Sequence, residues 1–318
     1  MSIHLSLRRL GPILVGLMLY LGVLPLAFQS SNYWINAFTN VSILGFISLG
    51  VWLVFAIGRI NAAQGAFALV GGYTTAILAT HYALPFWVTL FAAGLVTAAL
   101  GALIGWPILR LRGVYFAMLT LSLTEATRLA ALNGGNLTRG ASGILNLPTP
   151  FTGAGAYIAW YYFTAFLVVA GLLLVYRLHT CRLGWVFHAL QQNEELAASL
   201  GIDVARYRVI AFAIGCAFGG VGGAVFVTFV QSIYPTSFTV NNSINFMLYC
   251  FLGGLQYVTG PVLGAFVLFL GFQLLATFQQ YQLLVYALLM IVAILSLPNG
   301  LLSLRLLWLQ RTSGGRSS

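Results

Sequence analysis

The side chains able to carry chemistry are few and unevenly placed. The chain has four carboxylates (Glu125, Glu194, Glu195, Asp203), four histidines (His4, His81, His179, His188) and three cysteines (Cys181, Cys216, Cys250), and it contains no lysine. Without lysine neither a phosphate-gripping G-x-x-x-x-G-K-S/T loop nor a Schiff base can form, so any ATP hydrolysis must come from another subunit. The cysteines lack the short spacings of a metal site, and two lie within apolar runs, which reads as packing. The histidines stand at or outside the edges of those runs with no partner at a matching spacing, which argues against an intramembrane enzyme. His188 is then a contact or a solvated residue. Two arrangements remain. Glu125 and Arg128 stand three apart on one helical face inside an apolar run and can pair with each other. The stretch 181–208 holds the other three carboxylates and is the only long polar segment of the chain.

The second arrangement needs a helix to hold it. From Gly184 onward, Phe187, Leu190, Ala197 and Leu200 fall on one narrow apolar stripe, while Gln191, Gln192, Glu194 and Glu195 face the other way. Gly201 offers the left-handed residue that stops a helix, Ile202 the apolar contact that goes with such a stop, and Asp203 a cap for the helix that follows. The pattern predicts one short amphipathic helix held outside a bilayer by a membrane span on each side.

Composition supplies the spans. Hydrophobic residues make up 60% of the chain and charged ones 6%, against roughly 25% charged in a soluble domain. Apolar runs of helical length recur and the short alternating segments of a β-barrel are absent, so the fold class is an all-α polytopic membrane protein. About ten transmembrane helices are expected, at 10–28, 38–57, 62–80, 86–109, 114–132, 157–176, 209–231, 244–258, 262–278 and 283–297. The eighth is short enough to be broken or re-entrant. Arg8 and Arg9 before the first run resemble a signal peptide, but its length and the spans that follow favour an uncleaved helix.

The net charge of +10 does not point to nucleic acid, because the arginines stand singly or in pairs at the edges of apolar runs rather than on one face. With the N-terminus inside, the inner loops collect Arg8, Arg9, Arg59, Arg110, Arg112, Arg177, Arg182, Arg206, Arg208, Arg305, Arg311 and Arg316. The outside collects only Arg139, and Arg128 lies within a span. This is a positive-inside pattern that places both termini and the amphipathic helix in the cytoplasm. The chain divides into a first transmembrane half, 1–132, an outside loop, 133–156, and a second half, 157–318, which includes the cytoplasmic loop 178–208. Five spans per half would set the halves in opposite orientation, as inverted repeats.

Several motifs have two readings each. Asn61, Gln64 and Gly65, followed by Gly71, Gly72 and Tyr73, put small and amide residues at the start of the third span, for helix packing or for lining a pathway. A charge at the centre of a span costs about 2.5 to 3.5 kcal/mol, so Glu125 and Arg128 either wall an outward cavity or form a local ion pair. The loop 133–156, rich in glycine with Pro148 and Pro150, is a shaped, non-helical surface or a connector. Gly215, Gly219 and Gly223 bare one face of the seventh span for close packing, within the chain or at a subunit interface.

These residues carry a family resemblance. Arg112-Gly113, Tyr115-Phe116-Ala117, Thr120-Leu121, Glu125, Arg128, Leu137-Thr138 and Gly143 resemble, in order and spacing, the branched-chain amino acid permeases of ABC importers of the LivM type. Gly58 to Phe67, Gly253-Gly254, Gly260-Pro261 and Pro298-Asn299-Gly300 are similar to further strings of that family, while Gln256 stands where a small residue is expected. Glu195 to Gly201 resembles the loop with which such permeases dock on their ATPase, although Trp185, His188 and Gln191 replace the usual basic residues. The resemblance implies a permease subunit with no catalytic residue, no metal and no cofactor of its own, ATP and Mg being bound by a partner ATPase. It makes Glu194, Glu195, Ala197, Ala198, Leu200 and Gly201 the coupling segment. It makes Asn61, Gln64, Gly65, Tyr73, Thr120, Glu125 and Arg128 candidates for the translocation pathway. Implied partners are ABC ATPase subunits, a second LivH-like permease or a copy of this chain, a periplasmic substrate-binding protein and the lipid of a bacterial inner membrane. A pathway lined by Ala, Gly, Ser and Thr does not separate branched-chain amino acids from urea or short amides, whose permeases look alike. A gradient-driven carrier is the rival mechanism, weakened by the lack of a buried acid chain.

Overall fold

A computed structural model describes residues 32–275 apart from 112 and 154, with five isolated positions between 284 and 291. The expected span 10–28, most of 283–297, the string 298–302, His4 and Arg8, Arg9, Arg112, Arg305, Arg311 and Arg316 lie outside the described residues.

The described chain is helical. In order it forms α1 (Asn32–Phe55), α2 (Gln64–His81), α3 (Phe86–Ile108), α4 (Val114–Leu132), a one-turn α5 (Gly135–Thr138), β1 (Ile144–Leu145), α6 (Ala156–Thr180), α7 (Arg182–Gln192), α8 (Glu194–Ser199), α9 (Val204–Val230), β2 (Ser232–Ile233), α10 (Val240–Gly253) and α11 (Gly260–Leu274). Among the described residues, four helices are long and apolar enough to cross a membrane: α1, α3, α6 and α9. They are not equivalent. The most apolar stretch of α1 is 83% buried and that of α9 61%, against 33% for α3 and 39% for α6, so α1 and α9 form the axis and the other two present apolar side chains outward.

The glycines make α9 the axis. It packs on α1, α2 and α3, and a side chain at Gly215 would meet Gly50 of α1, at Gly219 Gln64 and Phe67 of α2, at Gly220 Thr97 of α3, and at Gly223 the backbone of Ala68 in α2. Bare backbone lets helices approach until dispersion contacts replace the hydrophobic drive that lipid cannot supply. Gly215, Gly219 and Gly223 are thus internal packing residues. Cys216 is buried on the same helix, and Cys250 is buried on α10 with its thiol on the Ser48 carbonyl at 3.3 Å.

The expected seventh span, 209–231, lies within α9, which begins at Val204 with the expected cap: Asp203 accepts from the Arg206 N–H at 3.1 Å. Two expectations are corrected. The eighth becomes α10, started at Val240 by a reciprocal cap between Thr239 and Asn242. At 14 residues it is ~21 Å long, short of the ~30 Å of a hydrocarbon core. It turns at Gly253 and Gly254 into α11, backbone against backbone, and Gln256 is exposed in that turn. Second, the glycine-rich loop is not free of helix. The Thr138 hydroxyl donates to the Ala131 carbonyl at 2.7 Å, satisfying an orphan acceptor at the end of α4 and folding α5 back on it. Beyond it β1 pairs antiparallel with β2, Ile144 opposite Ile233, so the loop is fastened to the end of α9.

Candidate functional site

The polar segment at the start of α9 is two helices rather than one. Asn193 is extended (φ −158°, ψ 110°), and its side-chain oxygen accepts from the N–H of Glu195 at 3.0 Å and of Leu196 at 3.1 Å. This cap competes with continuation of α7 and wins, since Asn gains more at an N-terminus than inside a helix. The break resets the stripe. Phe187, Leu190 and Ala197 are buried as expected, but Leu200 is 75% and Leu196 61% exposed. The end of α8 follows the expected form: Gly201 has φ +83°, its N–H reaches the Ala198 carbonyl at 3.0 Å, and the Ile202 N–H reaches that of Ala197 at 3.2 Å.

The break also reverses Glu194, which was expected to face outward with Glu195. One of its carboxylate oxygens pairs with Arg59 at 3.0 Å and with Arg208, and both arginines are buried. Gln191 adds a 3.4 Å bond to the Phe55 carbonyl, and its backbone lies against Gly58. The α7–α8 segment is therefore bolted to the α1–α2 connection and to the base of α9. What it turns outward is Glu195, Leu196, Ala198, Ser199 and Leu200, beside a cavity of about 330 Å³ bounded by Trp106, Arg110, Glu195 and Arg208.

A second cluster lies inside the bundle at the start of α2. The Gln64 amide donates to the carbonyls of Ile47 and Gly215, each at 3.0 Å, and accepts from Asn61 at 3.2 Å. The Gly65 N–H donates to the Ser243 hydroxyl at 2.9 Å. The Thr120 hydroxyl accepts from the Ala62 N–H at 3.3 Å, and Thr124 donates to the Ala62 carbonyl at 3.2 Å. Asn61, Gln64, Thr120, Thr124 and Ser243 are fully buried. This uncharged knot joins α1, α2, α4, α9 and α10, and Gly215 puts it near the middle of α9.

Four of the seven pathway candidates, Asn61, Gln64, Gly65 and Thr120, thus come together. Tyr73 lies further along α2 in the apolar core, with no hydrogen-bond partner for its hydroxyl among the described residues. Glu125 and Arg128 pair with each other through two contacts from Arg128 Nε, at 2.9 and 3.0 Å, and one from Nη2 at 2.6 Å. They form an ion pair within α4, with both side chains partly exposed. Sequence reasoning missed Thr124 and Ser243, although Thr124 follows Thr120 by one helical turn and Ser243 ends a polar run. It also missed a cavity of about 500 Å³, where Thr75, Thr89 and Thr228 face Trp87 and Pro148.

The described residues form a glycine-packed helical bundle with a buried polar knot and an exposed helical tip, and four of its helices are long and apolar enough to cross a membrane. Residues 33–294 match the family described as the branched-chain amino acid transport system permease component, and the chain belongs to that family. It is 32% identical over 314 residues to the high-affinity branched-chain amino acid transport system permease protein LivM of Salmonella typhimurium, a match covering 90% of this chain and 74% of the relative. Identity to the protein of the same name in Escherichia coli is also 32%, over 302 residues, 86% of this chain and 71% of the relative. The probable permease protein LivH of Methanocaldococcus jannaschii is 24% identical over 247 residues, 73% of this chain and 76% of the relative. No solved structure matches the chain.

Proposed function

We propose that the chain is the membrane-spanning subunit of an ATP-driven importer of branched-chain amino acids. Ten spans with both termini in the cytoplasm put α7 and α8 on the ATPase side and the loop 133–156 on the periplasmic side, where a solute-binding protein delivers its cargo. The ATPase, a separate subunit that holds ATP and Mg, grips the exposed tip from Glu195 to Gly201, and a LivH-like permease completes the membrane pair. No covalent chemistry falls to this chain. A ligand at either end changes which packing of the bundle is favoured by its difference in affinity for the two, and alternating access follows from that difference.

The observation that carries the reading is the match to LivM across most of both chains. The tip supports it: Leu196 and Leu200 are exposed at a short capped helix, where a partner could cover them. The test is isolation of the tagged chain from its native membrane in mild detergent, with Glu195→Arg and Gly201→Leu in parallel. An ATPase and a second permease are expected to co-elute with the wild type, and the ATPase to be lost from both variants. A chain that elutes without an ATPase and moves leucine alone after reconstitution overturns the reading in favour of a gradient-driven carrier.

A further inference from the structure

We propose that the Arg59–Glu194–Arg208 cluster is the link that carries movement of the α8 tip into the polar knot at Gln64, and that these three are positioning residues for transport. The inference rests on the reading of α8 as the ATPase-gripping tip, and it assigns Glu194 an inner role that its expected outward orientation did not.

The geometry has two branches that start on one carboxylate and end on one amide. On the first, Glu194 pairs with Arg59 at 3.0 Å, Arg59 is two residues from Asn61, and Asn61 donates to the Gln64 side-chain oxygen at 3.2 Å. On the second, Glu194 pairs with Arg208, which stands seven residues before Gly215 on the same helix, and the Gly215 carbonyl accepts from the Gln64 side-chain nitrogen at 3.0 Å. Seven residues of α-helix are about 10.5 Å of stiff rod. Two residues of chain span at most about 7 Å. Neither branch contains a flexible side chain in water: Arg59 and Arg208 are buried, and Asn61 and Gln64 are fully so.

The chemistry suits a link better than a clamp. One carboxylate oxygen serves two guanidinium groups, so Glu194 holds together two like charges that repel each other. Displacing α8 weakens both pairs together, and the repulsion then separates the α1–α2 connection from the base of α9. Those are the two bodies that Gln64 bridges. Packed polar clusters of this kind have discrete arrangements rather than a continuum, which is what a two-state device requires. Contiguity alone does not establish coupling, and solute moved per ATP does.

The test uses the whole importer, isolated with its partners and reconstituted in lipid vesicles, and reads radiolabelled leucine taken up per ATP hydrolysed. Arg59→Gln and Arg208→Gln each cut one branch and leave a balanced ion pair, so both keep a folded bundle. The expected result is that the leucine-to-ATP ratio falls by at least about five-fold in each, the lower end of a typical coupling between sites, with the ATPase still bound. Glu194→Asp, which keeps the charge, is expected to recover most of the ratio lost in Glu194→Gln. A wild-type ratio in both arginine variants overturns the link, and so does loss of the ATPase from them, which would make the cluster part of the grip. Transport by the wild type without any ATPase is a different failure, that of the importer reading itself.

Discussion

The side chain of Gln64 donates to the carbonyl of Gly215 at 3.0 Å, beside the point where Gly50 of α1 meets that same carbonyl. Three helices touch there through two bare backbones and one amide. Polar groups in such a place are stabilising only if all are satisfied, and Gln64 has a partner for each end of its amide. Gln64→Leu keeps the volume and strands the Asn61 donor, and the expected cost is about 1 to 3 kcal/mol of stability. Thermal unfolding of the detergent-purified chain reads it, and a midpoint equal to wild type would show that the amide is spectator to the packing.

The glycine axis gives a sharper contrast. A methyl at Gly223 would collide with the Ala68 backbone, which cannot swing aside, whereas one at Gly155 would meet nothing within 4 Å. Gly223→Ala is expected to destabilise by about 1 to 3 kcal/mol through overpacking. Gly155→Ala should stay within about 0.5 kcal/mol of wild type. Equal unfolding temperatures for the two would remove the close approach as the reason for glycine.

Asn193 predicts a local effect with a distant reader. Asn193→Ala deletes the cap of α8, at about 1 kcal/mol, and allows α7 to run on, rotating Glu194 away from Arg59. Amide hydrogen exchange at Glu195 and Leu196 is expected to change, and leucine uptake by the assembled importer to fall. Unaltered exchange at these two amides would mean that the break in the helix is held by something other than the Asn193 side chain.

Leu200 is the opposite case, a residue whose side chain is turned away from the described bundle. Because it is 75% exposed, Leu200→Asp should change stability by less than about 0.5 kcal/mol while abolishing co-elution of the ATPase. Retention of the ATPase by this variant would move the grip away from the α8 tip.

How far these features were legible depends on how far along the chain their causes lie. The stop at Gly201 and the cap at Asp203 are decided within four residues, and both read correctly. The helix break at Asn193 is equally local but was overridden by an apolar stripe that runs through it, since periodicity carries no record of a cap inside it. Glu125 and Arg128 were legible as a pair because both are on one helix. The partners of Glu194 were not: Arg59 and Arg208 stand at the edges of apolar runs and satisfy the charge rule for inner loops as well as any exposed arginine would. For Gln64 the acceptors are backbone carbonyls at Ile47 and Gly215, and no side-chain pattern advertises a carbonyl. Spacing showed that Gly215, Gly219 and Gly223 bare one face of a helix, but only the fold shows that α1 and α2 lie against it.

The strand pairing of Ile144 with Ile233 fastens the loop 133–156 to the far end of α9. With 27 residues that helix is about 40 Å long, and its near end carries Arg208 against Glu194. The loop 133–156 and the α8 tip are therefore attached at opposite handles of a single shaft, and a force on either is a force on the same helix.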